Sequence, residues 1–285
     1  TSITFTDKCN LQVFISWRLL PDMKFIIHGT RGSAPNANEN FLKYGGNTSC
    51  FEISTENQQI FYDAGTGFIS ADLLRKTKDI FIFFSHFHHD HIQGLPFNSS
   101  LFQEGKNIVL TSALINQTDV RETLQKYFSG SYFPVDIFEI LSHLTVQSFE
   151  STLEKIKDEV IVDFIRLNHP GGAVGYKFSS KKKKVVILLD NEFYDQQENE
   201  LISFCRDADL VVWDAMFTED ELKHKRGWGH SSIEQAEKFS LKANINKLVL
   251  CHHAPDRSDH HIDCLSKTIS SSRVVFGFEK MSITL

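Results

Sequence analysis

Residues 85–91 read SHFHHDH and follow directly on the apolar run DIFIFF at 79–84. In an extended chain, residues two apart point to one side, so His86 and His88 can present two imidazoles to one cation. Where the strand turns into a helix, Asp90 and His91 swing to a second point nearby and offer one oxygen and one nitrogen ligand. Two adjacent metal sites are therefore expected at the end of this strand. His89 falls between the ligands and is expected to face outward. A pair of metals needs more ligands than one turn supplies. Isolated groups at other strand ends fit that need: His169 in RLNHPGG, Asp190 in VVILLDNE, and His252 with His253 in KLVLCHHAP.

The chain has 285 residues, 41% of them hydrophobic, enough to bury a large core. The reading is one domain over 23–285, preceded by a segment, 1–22, whose role is open among an upstream extension, an added strand and a peptide packed on the core. Neither a long uncharged apolar run nor the order of a secretory signal is present, so a cytoplasmic protein without a membrane partner is expected. Five widely spaced cysteines without a CxxC pair read as reduced buried thiols. The formal net charge of -6 gives no general attraction for a long polyanion.

Hydrophobic alternation and turn residues predict a strand in MKFIIHGTRG (23–32) that runs into a glycine turn, strands in SCFEIST (49–55) and QQIFYDAG (58–65), strands over 80–85 and 107–111, then helix near 112–127. A short helix is expected around 68–76, and the stretch 128–158 has no clear period. Strands 159–167, 173–179 and 185–189 follow, the last two joined by SSKKKK, read as a solvated hairpin tip. Helices 196–206, 231–243 and 258–271 alternate with strands 209–213, 247–251 and 273–278. This is a β-rich then α/β order, an α+β class.

The order HxHxDH, His, Asp, His resembles the metallo-β-lactamase superfamily. The motifs GTRGS, YGGNTSC, DAGTG, LNHPGGAVGY and GWGHSS resemble its phosphodiesterase branch, near ribonuclease Z and cyclic-nucleotide phosphodiesterases. The resemblance implies a four-layer αββα sandwich over 23–285 with two divalent metals, zinc or alternatively manganese, at one edge of the paired sheets. It implies that His86, His88 and His169 hold the first ion, that Asp90, His91 and His252 hold the second, and that Asp190 bridges them. The branch pattern Leu-x-His-x-x-Pro, matched by LCHHAP, selects His252 over His253, which is left as a pocket neighbour.

The same resemblance implies a phosphodiesterase that attacks through a metal-bridging hydroxide. Asp90 orients that nucleophile, and His230 of GWGHSS, paired with Asp214, gives the leaving oxygen its proton. Asp214 in VVWDAMF stands where the family carries a glutamate, and a shorter carboxylate must sit closer. Relatives that process tRNA insert a long basic arm between the lone metal histidine and the bridging aspartate. Here His169 and Asp190 are only 21 positions apart. That disfavours long nucleic acid, and 3′,5′-cyclic nucleotides become the expected substrate. Another small ester (a lactone, a thioester or a sugar cyclic phosphate), tRNA 3′-processing and a non-enzymatic nucleotide sensor are the alternatives. Substrate contacts are expected from Arg31, Ser33, Asn47, Thr48, Tyr132, Phe133 and His253. A homodimer meeting through GSYFPVDIF is expected from the same resemblance.

Overall fold

Alternation along the strands sends successive side chains to opposite faces of a sheet. In DIFIFF, Ile80 and Ile82 join one apolar cluster and Phe81 and Phe83 another. The computed structural model describes residues 23–73, 79–103 and 107–285. Its first sheet contains β1 (Lys24–Gly29), β2 (Cys50–Ser54), β3 (Gln59–Tyr62), β4 (Asp79–Phe83), β5 (Asn107–Thr111) and β6 (Leu144–Val146). Its second contains β7 (Ile161–Leu167), β8 (Ala173–Ser180), β9 (Lys183–Leu188), β10 (Leu210–Asp214), β11 (Lys247–Cys251) and β12 (Val274–Phe276). The C-terminal β13 (Ser282–Thr284) returns to the first sheet beside β1, giving the orders β13-β1-β2-β3-β4-β5-β6 and β12-β11-β10-β9-β8-β7.

Between the sheets lies a core of Phe25, Phe51, Tyr62, Phe83, Tyr176, Phe178, Ile187 and Val212. The helices are α1 (His89–Ile92), α2 (Gln117–Tyr127), α3 (Ile137–Ile140), α4 (Phe149–Ile156), α5 (Asp195–Cys205), α6 (Glu219–Leu222), α7 (Ile233–Lys242) and α8 (Asp259–Ser266). Val120 and Leu124 of α2 and Ile137 of α3 cover the outer face of the first sheet, packing with Ile80, Ile82 and Leu110. Leu201 of α5, Ala236 and Phe239 of α7 and Ile262 of α8 cover the second, packing with Val211, Trp213 and Leu250. The result is the expected four-layer αββα sandwich.

Strands β3 to β6 run parallel, as do β9 to β12. Since β7 and β9 are both antiparallel to β8, β7 points the same way as β9. Carboxyl ends of parallel strands gather at one edge of a sheet, where α/β folds place their ligands. Ser85, Asn168, Leu189, Ala215 and His252 all lie just past such ends.

Several boundaries differ from the sequence reading. The helix expected at 68–76 is a 3₁₀ segment over Thr66–Ser70, and its later residues fall partly outside the described ones. The stretch 128–158 holds α3, β6 and α4, pieces too short to show a period. The four-residue α6 and the three-residue β13 escape for the same reason. The lysine run is the expected hairpin tip: β8 ends at Ser180 and β9 begins at Lys183, which leaves the exposed Lys181 and Lys182 in the turn, while Lys183 pairs with Asp209 at 3.1 Å. Segment 1–22 lies outside the described residues.

Candidate metal centre

Phe83 ends β4, and the next residues leave the sheet as an extended turn that buries His86 and carries His88 to the surface. Helix α1 then begins with His88 as its N-cap and turns Asp90 and His91 inward. His89 faces outward, its Nε2 3.4 Å from the Tyr127 hydroxyl. Three further turns deliver the remaining groups. Asp63, Asp190 and His252 sit at strand ends with φ of 59°, 56° and 60°. Asp and His are among the few non-glycine residues that visit this left-handed region. Each such residue costs on the order of 1–3 kcal/mol, and such strain gathers at functional sites.

The imidazoles and carboxylates converge. His88 Nδ1 lies 3.0 Å from His169 Nε2. Asp190 Oδ1 lies 3.3 Å from His252 Nε2, 3.6 Å from His169 Nε2 and 4.0 Å from His86 Nε2. Its Oδ2 lies 3.1 Å from His91 Nε2, which is 3.3 Å from Asp90 Oδ2. Three groups, His86–His88–His169, His86–His91–Asp190 and Asp90–His91–His252, each bring their ligand atoms within 4.8 Å of one another.

A donor set fits a cation when its buried atoms lack any other partner. Nε2 of His86, of His91 and of His252, with Oδ2 of Asp190, are buried and make no hydrogen bond. Leaving such atoms unsatisfied costs about 1–3 kcal/mol each, and all four face the same centre. Burial holds His86 well below the ordinary histidine range, and burial likewise lowers His88 and His169, so their lone pairs are available. Burial would lower His91 too, but the carboxylates of Asp90, Asp190 and Asp63 raise it well above its usual value. That density of negative charge is what a bound cation neutralises. The set of imidazoles and carboxylates suits divalent zinc or manganese. His86, His88 and His169 would hold one ion, Asp90, His91 and His252 the other, with Asp190 between them.

Groups behind the ligands fix their orientation. Asp63 Oδ2 lies 2.6 Å from His91 Nδ1, and Asp63 in turn accepts the Ser85 N–H at 2.7 Å and the Ser85 hydroxyl at 2.8 Å. Ser49 Oγ lies 3.1 Å from His252 Nδ1, and His169 Nδ1–H donates to the Gly229 carbonyl at 2.9 Å. With Nδ1 so engaged, Nε2 is left for the metal in all three cases. Sequence reading quoted DAGTG without giving Asp63 this part. The signal was present: a carboxylate at the end of an apolar strand needs a buried partner. Asp63→Asn keeps every candidate ligand, so metal affinity should fall about 10- to 100-fold rather than vanish. Competition with a chromogenic chelator measures this, and native affinity in the variant would contradict it.

Asp214 and His230 form a separate unit on the same edge. Asp214 Oδ2 lies 2.8 Å from His230 Nδ1 and accepts the Asp190 N–H at 3.0 Å. Oδ1 accepts the N–H groups of Met216 at 3.1 Å and Ser231 at 3.2 Å. Both lie close enough to Asp190 and His252 to be counted among possible ligands. The Asp214 oxygens are already occupied, so the pair is better read as an oriented imidazole with Nε2 left open. Burial would lower the His230 pKa, but Asp214 raises it, to about 9.

The expected substrate contacts need correction. Arg31 is fully buried and donates to the carbonyls of Gly45, Ala254 and Arg257, so it ties loops together and does not reach a substrate. Asn47 donates its amide to Glu279, and the buried Thr48 bonds to Thr66. His253 is fully buried, donates to the Gly277 carbonyl at 3.0 Å and packs against Tyr44 and Phe276. It therefore faces the core. Phe133 packs on Phe97 and Phe128, while Tyr132 is exposed. Ser33 stays at the site, its N–H donating to Asp90 Oδ2 at 2.7 Å. Sequence reading missed Glu192, whose Oε2 accepts the N–H groups of Gly227 and Gly229 and so fixes the turn leading into His230.

The profile of the β-lactamase superfamily domain matches residues 59–253. The chain is 26% identical to ribonuclease Z of Oceanobacillus iheyensis, across 71% of this chain and 79% of that protein. Among solved structures, the metallo-β-lactamase fold protein YhfI of Bacillus subtilis superposes with a TM-score of 0.66 at 19% identity, covering 92% of this chain and 99% of its own. The short form of human tRNase Z gives 0.60 at 19% identity, covering 91% and 98%.

Proposed function

The chain belongs to the β-lactamase superfamily as a metal-dependent hydrolase of its phosphodiesterase branch, and from that premise we propose that its substrate is a compact phosphodiester, with 3′,5′-cyclic nucleotides the first class to test. The observation that carries this reading is the convergence of seven candidate ligands beside an oriented His230, with no inserted arm between His169 and Asp190. That interval holds only β8, a tight turn and β9. Clustered Lys and Arg neutralising phosphates are what long RNA needs, and the net charge of -6 runs the other way.

Two divalent ions in the ligand ring would lower the pKa of water and offset the negative charge that builds on a phosphoryl group. The protein's own residues set the geometry. Asp90, fixed by the Ser33 N–H, directs its carboxylate at the nucleophile. His230, fixed through Nδ1 by Asp214, carries a proton on Nε2. As the bond from phosphorus to the 3′-oxygen breaks, that proton passes to the departing oxygen, which leaves as a neutral hydroxyl.

A second reading, tRNA 3′-processing, is favoured by the relatives named ribonuclease Z. Purified protein should hydrolyse cyclic AMP or cyclic UMP faster than a tRNA precursor at equal concentration, and faster than lactone and thioester panels. Faster cleavage of the precursor would overturn the compact-substrate reading. A homodimer through Gly130–Phe138, where Tyr132 and Val135 are exposed, is part of the proposal. Light scattering that finds a fully active 32.6 kDa monomer would remove it.

A further inference from the structure

Between Asp214 and His230 the chain carries KHKRGW at 223–228, a basic run ending in an aromatic residue beside the metal centre. Trp228 is 57% exposed. Its neighbours Gly227 and Gly229 both have φ of 85°, a conformation that only glycine adopts freely. A Cβ at Gly229 would come within 2.2 Å of the His169 ring. Both glycine N–H groups are held by Glu192 Oε2, at 2.7 and 3.1 Å, and the Gly229 carbonyl holds His169. The loop is thus pinned on both sides of an indole that is itself left in water.

A second exposed ring, Tyr194, lines a 290 Å³ recess together with His169, Pro170 and Gly227 and Gly229, the two glycines that flank Trp228. Tyr194 donates its hydroxyl to Glu192 Oε1. Lys225 Nζ stands 4.2 Å from the Trp228 ring centre, and Arg226 Cζ stands 5.4 Å from that of Tyr194. Fixed aromatic faces with cations around them, beside a phosphodiester-cleaving centre, match the chemistry of a nucleotide: a base that stacks on any aromatic ring and a phosphate that takes positive charge.

We propose that Trp228 and Tyr194 form the nucleobase wall of the site, with Lys225 and Arg226 at its rim, and that the substrates are therefore nucleotide esters rather than lactones, thioesters or base-free sugar phosphates. The proposal deepens the phosphodiesterase reading, but its test does not require turnover. Calorimetric titration of the metal-loaded protein with AMP and with ribose 5-phosphate isolates the contribution of the base. Native protein should bind AMP more tightly than ribose 5-phosphate. Trp228→Ala should weaken AMP by about 5- to 150-fold, the range for one stacked base, with ribose 5-phosphate affected far less, and Trp228→Phe should recover most of the loss. Equal affinity of native protein for the two ligands would overturn the wall, as would an equal loss of both in Trp228→Ala or unchanged AMP affinity. Absence of cyclic-nucleotide hydrolysis would sink the proposed reaction while these titrations still decide the wall.

Discussion

Asp190→Ala should lose both metal ions and, with them, all phosphodiesterase activity above that of the metal-free protein. The two carboxylate oxygens of Asp190 face different halves of the centre, Oδ1 toward His86, His169 and His252 and Oδ2 toward His91. Burial pushes this carboxyl up, yet His252 and His91 hold it well below its usual range, so it is an anion throughout the neutral region. Removing it would take away the carboxylate placed to serve both cations in a buried site, where an unbalanced charge is costly. Alanine at a residue with φ of 56° also strains the backbone. Asp190→Asn is the companion variant, since asparagine tolerates that conformation and keeps the shape without the charge. It should fold normally by circular dichroism and still lose metal. Full retention of two ions in the asparagine variant would contradict the bridging role.

His230→Ala should keep both ions and lose about 10²–10⁴ in kcat, the range for a positioned acid. The sign of its pH dependence follows from the protonated form being the active one. With its pKa raised, to about 9, turnover is maintained at lower pH and lost as pH rises through that value. Asp214→Asn removes the group that raises it, so the alkaline limb should move to lower pH, a shift that a merely structural role would not produce. Because the pair acts as one unit, the double variant should be little slower than His230→Ala alone. An unchanged rate in His230→Ala, or an alkaline limb that stays in place in Asp214→Asn, would take this pair out of the proton transfer.

The convergence of the candidate ligands was legible because these residues carry chemistry that filler does not. SHFHHDH after an apolar strand, then His169, Asp190 and His252 at strand ends, are all histidine or aspartate where the sheet edge must turn. The folded chain brings all seven together. The pairing of Asp214 with His230 was legible only through a motif, since 16 positions and a change of element separate them. Asp63 and Glu192 were harder. Each acts by holding a partner distant in sequence, and a lone carboxylate after a strand does not say which group it meets. Arg31 and His253 misled for the opposite reason. They stand beside motif residues, but the left-handed turn at His252, with φ of 60°, sends that side chain into the centre while His253 enters the core. Tyr132 and Phe133 were expected to touch substrate, whereas Phe133 packs with Phe128 in the cluster under α2 and α3 and Tyr132 stands exposed.

The most direct test of the account is the metal content of the native protein. Elemental analysis after equilibration with zinc or manganese and removal of free ion should give two ions per chain. A single ion per chain that persists under metal excess would contradict the binuclear centre on which every other role described for these residues depends.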